Sequence, residues 1–175
     1  MKNLIWIDLE TTGLILKKDK IIEIAILVTD TNLKILDKDG YVGFVKISQK
    51  DIDLMDKKVF KMHSKNGVIE NCVKSKFTLE DIDRGSVTYL SKFVDENDSP
   101  LCGNNIFFDR AFIDYNMPLL SKLLHYRNID VSTVKQLSQI WKKDVYDKGD
   151  TTHEALDDIR GSIEEMKYYK KAIFD

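Results

Sequence analysis

The first third of the chain carries short apolar runs that are separated by polar turns. These runs cover residues 3–10, 20–30, 33–37 and 41–47 and are rich in Ile, Leu and Val. Short runs of this composition, bounded by Asp, Asn, Lys and Gly, are typical of β-strands. This part of the chain is therefore predicted to supply several strands of one sheet.

From Asp51 onward the apolar positions recur at helical spacing instead. Leu79, Ile82 and Leu90, for example, fall on one face at about 100° per residue. The predicted elements are, in order, helices over 51–56, 64–74 and 78–97, a strand over 101–104, helices after Asn105, a strand over 128–131 and a last helix over about 152–172. Strands followed by alternating strands and helices indicate an α/β fold with a mixed sheet flanked by helices.

Composition narrows the kind of protein without identifying it. The 175 residues suffice for one domain with a sizeable core, and 43% hydrophobic with 32% charged residues is ordinary for a globular chain. A net charge of -2 argues against coating long DNA or RNA by charge alone, but not against binding a short nucleic acid through metal ions.

Cysteine usage and hydropathy suggest where the protein works. Cys72 and Cys102 form no CxxC motif, so neither a disulfide framework nor a zinc ribbon is supported. The apolar runs are too short to span a bilayer. We therefore expect a cytoplasmic protein with reduced thiols and no membrane partner.

The first apolar run ends in two acids. Asp8 and Glu10 lie two residues apart in a predicted strand, so they project from the same face, about 7 Å apart. Two carboxylates at the end of a buried strand are costly unless a positive charge lies between them. A divalent metal ion is the simplest such charge.

Two further acids occur in apolar surroundings. Asp109 lies in the largely apolar segment 107–112, directly after the predicted strand at 101–104. Asp158 lies early in the last helix, about a quarter-turn from the centre of its apolar face, whereas Asp157 points almost opposite that face. We therefore predict that Asp109 and Asp158, rather than Asp157, join the first pair.

A histidine precedes the last of these acids by five residues. Residues five apart on one helix do not share a face, so His153 would approach Asp158 from the first helical turn or from the loop before it. Thr151 and Glu154 match a capping box at that point. A histidine with an ordinary pKa of about 6.5 can accept a proton at neutral pH, which makes His153 the candidate base.

Several carboxylates beside one base are suited to hydrolysis of a phosphodiester with two metal ions. Mg²⁺ and Mn²⁺ prefer oxygen ligands, and two such ions about 3.5–4 Å apart can activate a water and stabilise the leaving oxygen. Zinc is disfavoured because there is no paired His or Cys pattern. The predicted catalytic residues are Asp8, Glu10, Asp109, Asp158 and His153, with the four acids as ligands of two Mg²⁺ or Mn²⁺ ions.

In this order and spacing, the acids and the histidine resemble the motifs of the DEDDh family of 3′→5′ exonucleases. Further segments resemble the oligoribonucleases within that family, and the similarity runs from Asn3 to about Tyr169. These segments are 3–10 (NLIWIDLE), 21–25 (IIEIA), 102–104 (CGN), 125–127 (HYR), 130–133 (DVST) and 157–160 (DDIR). One such motif alone is weak, whereas all of them together are specific.

The resemblance implies an α/β, RNase H-like mixed five-stranded sheet flanked by helices, formed by a single exonuclease domain over 1–175. It also implies a homodimer that degrades short single-stranded RNA, down to dinucleotides, to nucleoside 5′-monophosphates. By position, Leu14 would wedge against the bases, and Tyr126 would reach the neighbouring subunit's site. Arg127, Ser132 and Thr133 match the group that caps the substrate's 5′ phosphate, and Asn105 stands where that group has a serine.

Some alternatives stay open at this point. A DEDDh exonuclease acting on single-stranded DNA would carry the same acids, whereas a non-catalytic RNA-binding module would lack at least one of the five site residues. Lys58 stands where the resemblance implies an aromatic residue against the nucleotide, which bears on affinity and length preference. Glu23 could orient a metal-bound water or pair with a lysine, and structural roles are favoured for His63 and His125.

Overall fold

A mixed five-stranded sheet lies at the centre of the protein, seen in a computed structural model that describes residues 3–143, 146 and 154–174. The strand order is β3-β2-β1-β4-β5. Antiparallel pairing joins β1 to β2 and β2 to β3, whereas β1 pairs with β4, and β4 with β5, in parallel. The strands are β1 (Asn3–Thr11), β2 (Ile21–Asp30), β3 (Tyr41–Phe44), β4 (Leu101–Gly103) and β5 (Asn128–Asp130). The predicted mixed α/β sheet is confirmed.

Helices pack on both faces of this sheet. None of those described combines the length and apolar character that crossing a bilayer requires. They are α1 (Gln49–Asp53), α2 (Lys57–Lys65), α3 (Val68–Lys74), α4 (Leu79–Leu90), α5 (Phe107–Asn116), α6 (Pro118–Leu123), α7 (Val131–Trp141) and α8 (Ala155–Tyr169), followed by a π-helical turn over Lys170–Phe174.

Side-chain alternation along β1 divides the core into two layers. Ile5, Ile7 and Leu9 face the layer that α4, α5 and α6 cover. Leu4 and Trp6 face the opposite layer, which α7 and α8 cover. Since side chains alternate strictly in a strand, the next two residues on this second face are the acids at positions 8 and 10. The strand pattern thus directs both carboxylates towards the layer that contains α8.

The strand predicted over 33–37 is wrong. This segment contributes only an isolated bridge between Thr29 and Ile35. The Asp30 carboxylate accepts hydrogen bonds from two amides of the turn that follows, and Leu33 adopts a φ of 66°. A left-handed residue inside so short a run prevents regular pairing.

Helix boundaries also differ from those predicted. The helix predicted over 78–97 ends at Leu90, and Asn97 then adopts a φ of 61° as the chain turns back. Between 49 and 74 the chain forms three short helices instead of two. The additional helix is α2, which begins because the Asp56 carboxylate caps it by accepting a hydrogen bond from the Lys58 amide.

Candidate active site

Asp8 and Glu10 lie at the end of β1, and both are half-buried. In the antiparallel register Asp8 lies opposite Ala25, whereas Glu10 lies opposite Glu23 of β2. Like charges directly opposite each other on neighbouring strands are destabilising. Glu23 is also buried, and its Oε2 has no hydrogen-bond partner among the described residues. The end of β1 therefore concentrates negative charge rather than neutralising it, and a lysine partner for Glu23 is not found in this part of the chain.

Asp109 is fixed to β1 by a hydrogen bond. The amide of Ile5 donates to the Pro100 carbonyl oxygen, so the amides of alternate β1 residues, Leu9 among them, point towards β4. Because β4 ends at Gly103, the Leu9 amide has no strand partner there. The Asp109 carboxylate replaces it, accepting from that amide through Oδ1 at 3.0 Å. Asp109 is buried on the first turn of α5.

Asp158 lies on the first turn of α8 and is half-buried. Its charge contributes to raising the pKa values of both Asp8 and Glu10, so it lies close enough to interact with that pair. The neighbouring Asp157 is exposed and forms an ion pair with Arg160 at 2.7 Å. The prediction that Asp157 faces solvent is confirmed.

Helix α2 brings a histidine against the acid pair. His63 is fully buried, and its Nε2 donates a hydrogen bond to the Thr11 carbonyl oxygen at 2.9 Å. Its Nδ1 lies 3.7 Å from Glu10 Oε2, and burial lowers the pKa of the imidazole. Sequence analysis assigned His63 no partner in the site, because the helix that carries it was not predicted. Lys58, on the same helix, is exposed.

Burial and mutual repulsion raise the pKa values of these carboxyl groups. Burial, then the charge of Glu23, raises the pKa of Glu10 to about 8. Burial is likewise the main cause that raises the pKa of Asp8, followed by the charge of Asp109. Burial raises the pKa of Asp109 to about 7, although its hydrogen bond from Leu9 opposes the shift. No lysine or arginine in the described residues is among the causes of the shifts at Asp8, Glu10 and Asp109.

This donor set fits hard divalent cations, since it consists of carboxylate oxygens. Within the described ranges, no three His, Cys, Asp or Glu side chains are already arranged as a cage of metal ligands. Repulsion between carboxylates, together with the bond from Asp109 to the β1 backbone, is consistent with this open arrangement.

The loop after β1 presents Leu14 to solvent, where it is 79% exposed. The Asp19 carboxylate closes this loop by accepting hydrogen bonds from the Ile15 amide at 2.8 Å and the Thr12 hydroxyl at 3.2 Å. Gly13 allows that carboxylate to approach, because a Cβ at this position would lie 2.5 Å from Asp19 Oδ2. The leucine therefore projects from a firmly bonded loop.

The segment before β5 forms a small stack of side chains. The ring centroids of His125 and Tyr126 lie 4.4 Å apart, and the Arg127 guanidinium lies 5.1 Å from the Tyr126 ring. Arg110 holds the segment by donating to the His125 carbonyl oxygen at 2.8 Å. Tyr126 remains 66% exposed. The tyrosine and arginine therefore face solvent, and the structural role of the His125 side chain stays a prediction.

Three of the predicted phosphate-cap residues gather at the other end of β5. The Asn105 amide donates to both Asp130 Oδ1 and Ser132 Oγ at 3.1 Å, and Asp130 caps α7 by accepting from the Ser132 amide. Thr133 follows, exposed on the first turn of α7. Arg127 lies before β5 rather than after it, about 10 Å away at the usual rise per residue. The structure thus brings Asn105 and Ser132 together and leaves Arg127 at the opposite end of the strand.

The candidate base lies outside the described residues. His153 and Thr151 belong to the range 147–153, so the predicted placement of the histidine is not tested. The capping box predicted for Thr151 and Glu154 is wrong, because it requires Glu154 to lie inside the helix, whereas Glu154 precedes its first residue. Helix α8 begins at Ala155, with Glu154 as its N-cap residue.

Comparison with known proteins identifies the family. A family model described as Exonuclease, of the RNase T type, matches residues 5–166. The oligoribonuclease of Photorhabdus laumondii is 44% identical over 171 residues, which are 97% of this chain and 94% of that protein. The oligoribonuclease of Haemophilus influenzae is 45% identical over 172 residues, with the same two coverages of 97% and 94%.

Solved structures show the same fold at lower identity. Exonuclease I from Methylocaldum szegediense superposes with a TM-score of 0.79 at 15% identity and covers 100% of this chain. Escherichia coli exonuclease I in complex with a dT13 oligonucleotide has a TM-score of 0.75, also at 15% identity. The chain spans only 42% and 41% of those proteins, so the likeness concerns one RNase H-like region of them. Because the family model matches most of the chain and the oligoribonucleases match it over nearly their full length, this chain belongs to the RNase T-type exonuclease family, in its oligoribonuclease branch.

Proposed function

We propose that this chain is a metal-dependent 3′→5′ exoribonuclease, a single exonuclease domain that hydrolyses short oligoribonucleotides, down to dinucleotides, to nucleoside 5′-monophosphates. The observation that carries the proposal is the group of acids around the end of β1. Burial and mutual repulsion raise the pKa values of Asp8, Glu10 and Asp109, and carboxylates held together in this way are suited to binding divalent cations.

Each residue of the acid group has a proposed role. Asp8, Glu10, Asp109 and Asp158 would hold two Mg²⁺ or Mn²⁺ ions, which supply activation of water and charge stabilisation when bound. The imidazole of His153 accepts a proton from the attacking water. The buried His63 holds the end of β1 through the Thr11 carbonyl oxygen and limits the positions open to the Glu10 carboxylate.

Substrate recognition is proposed for the exposed loop that carries Leu14 and for the cap residues at the two ends of β5. The exposed Leu14 packs against the bases. Arg127, Asn105, Ser132 and Thr133 bind the 5′ phosphate. Guanidinium groups bind phosphate bidentately, which suits Arg127.

Cleavage of a ribodinucleotide tests the proposed reaction directly. Purified protein should convert a 5′-phosphorylated ribodinucleotide to mononucleotides in Mg²⁺ or Mn²⁺, and excess chelator should stop the reaction. An intact ribodinucleotide in both metals would contradict the proposal. Preference for single-stranded DNA would show as faster cleavage of the matching deoxyribodinucleotide. A non-catalytic RNA-binding module would retain the ribodinucleotide without cutting it.

A homodimer is also part of the proposal, with Tyr126 lent to the neighbouring subunit's site. The tyrosine is exposed, and within the described residues its ring contacts are those with the adjacent His125 and Arg127. Mixing two inactive variants, Asp8→Asn and Tyr126→Ala, tests this arrangement. If the tyrosine acts across subunits, about a quarter of wild-type activity should return, because half of the dimers are mixed and one of their two sites is intact. If it acts within its own subunit, or if the chain is a monomer, mixing restores nothing.

A further inference from the structure

Glu165 is a buried acid that the chemistry described so far does not use. Its side chain is 0% exposed, and it lies on α8 among apolar neighbours. A carboxylate in such a position is costly unless it has partners. Its contacts therefore indicate what it contributes.

The contacts of Glu165 lead directly to the cap. Its Oε2 accepts a hydrogen bond from Asn104 Nδ2 at 3.1 Å, and the same amide nitrogen lies 3.4 Å from Ser132 Oγ. Lys135 Nζ lies 3.5 Å from Oε1, which receives no hydrogen bond within the described ranges. An ionised carboxylate can only accept, so it fixes the Asn104 amide with its NH₂ group towards both acceptors.

The Asn104 amide in turn supports the turn that carries Asn105. That residue adopts a φ of 51°, a left-handed conformation that costs energy for most residues other than glycine and is tolerated best by Asn and Asp. Its amide is held by Asp130 and Ser132. The described contacts therefore run without interruption from the carboxylate of Glu165 to two of the proposed cap residues.

Helix α8 also carries Asp158, seven residues before Glu165. Seven residues at about 100° each come within about 20° of two full turns, so the two acids lie on the same face, about 10 Å apart along the axis. One end of this face interacts with the acid group, and the other holds the cap. A helix is stiff over two turns, so it fixes the separation between the acid group and the proposed cap.

We propose that Glu165 is a positioning residue that sets the preference for very short, 5′-phosphorylated substrates by fixing the cap at this distance. This inference rests on the proposed function, and it concerns a residue that contacts neither metal nor substrate. Loss of the carboxylate charge should loosen the cap while leaving the acid group in place.

The test compares Glu165→Gln with wild type on a ribodinucleotide that carries either a 5′ phosphate or a 5′ hydroxyl. The variant should lose about tenfold in kcat/KM on the phosphorylated substrate, mainly through KM, as expected for one weakened charge-assisted contact. Activity on the 5′-hydroxyl substrate should stay within about twofold. Glu164→Gln is the matched control, since that acid is exposed and paired with Lys167; it should keep the wild-type preference.

A second variant keeps the inference testable if Glu165→Gln does not fold. Asn104→Ser removes the linking amide and should reduce the preference for the 5′ phosphate in the same way. If both single variants fold, the double variant should be no worse than either, because the two residues act through one contact.

The outcomes separate the inference from the proposed function. An unchanged phosphate preference in folded variants would overturn it, as would a parallel loss on both substrates together with a lower melting temperature, which indicates a purely structural role. Failure of the wild-type enzyme to cleave either dinucleotide in metal would instead contradict the proposed function.

Discussion

The acid group and the proposed phosphate cap lie towards opposite ends of one face of α8, and the contacts within them are of opposite kinds. The acid group gathers like charges and contains no described lysine or arginine. In the cap, by contrast, Asp130, Ser132 and the Asn105 amide bond one another, and Lys135 lies beside the buried acid.

This difference shows which region needs an external partner. The acid group is electrostatically strained and gains most from cations that are bound from solution. The proposed cap is preorganised by internal hydrogen bonds, so we expect substrate binding there to require little rearrangement. Substitutions in the first region should therefore change catalysis, and substitutions in the second should change selectivity.

The largest effect is expected at Asp8. Asn has nearly the same shape as Asp but lacks the charge of a proposed metal ligand. Turnover should therefore fall by about a thousandfold or more, since the lost charge stabilisation is worth several kcal/mol. Cleavage of a ribodinucleotide in Mg²⁺ measures this. Asp157→Asn, on the exposed side of α8, should keep wild-type turnover; a substantially active Asp8→Asn enzyme would refute the metal assignment.

His153→Ala should reduce turnover by about a hundredfold to ten-thousandfold, the usual contribution of a general base. Binding of Mn²⁺, measured by calorimetry, should be unchanged because the four carboxylates remain. Weaker Mn²⁺ binding in this variant would mean that His153 is a ligand and that the role proposed for it is wrong. The comparison with Asp8→Asn thus separates ligand from base.

A smaller and more selective effect is expected at Arg127 in the cap region. Lysine keeps the charge but loses bidentate geometry, so Arg127→Lys should raise KM for 5′-phosphorylated dinucleotides by about tenfold and leave kcat nearly unchanged. The 5′-hydroxyl dinucleotide provides the internal control. Equal losses on both substrates would place this arginine outside phosphate recognition.

The smallest effect concerns stability in chelator. The pKa of Glu10 is about 8 against an ordinary 4.5, and that of Asp109 is about 7 against 3.8. Between the ordinary and the raised values, both groups bind more protons in the folded than in the unfolded state. The free energy of unfolding should therefore fall as pH rises from about 4 to 8. The melting temperature should drop by several degrees over this range, although His63, whose pKa is lowered, opposes the trend below about pH 6.5.

Two controls sharpen the stability measurement. Excess Mg²⁺ should recover the melting temperature at the alkaline end, because a ligand that binds the folded state stabilises it. Asp8→Asn should flatten the pH dependence, whereas Asp157→Asn should retain it. A melting temperature of the metal-free protein that rises with pH would contradict the raised pKa values of the acid group.

Sequence patterns predicted the parts of the site that depend on local geometry. The period of two in β1 placed Asp8 and Glu10 on one face, and the helical period of the last helix separated Asp158 from Asp157. Both relations involve neighbours within one element, so they do not require knowledge of the fold.

The remaining neighbours depend on how elements meet. Glu23 faces Glu10 because of the antiparallel register between β1 and β2, which no single strand encodes. His63 reaches Glu10 from α2, a helix whose start depends on the Asp56 cap. Glu165 gave a weak signal, an acid beside the apolar stripe of α8, but its partners come from the β4–α5 turn and from α7.

The bond from the Leu9 amide to Asp109 has a consequence for how the centre could be altered. Where the shorter β4 runs out, a carboxylate continues the ladder in place of a backbone carbonyl, so α5 is docked to the sheet by the very group proposed to bind metal. Anchorage and coordination are thus merged in one side chain. Asp109→Asn should still accept the hydrogen bond from the Leu9 amide but lose the negative charge, whereas Asp109→Ala should lose both. Amide hydrogen exchange at Leu9 should therefore be faster in Asp109→Ala than in Asp109→Asn.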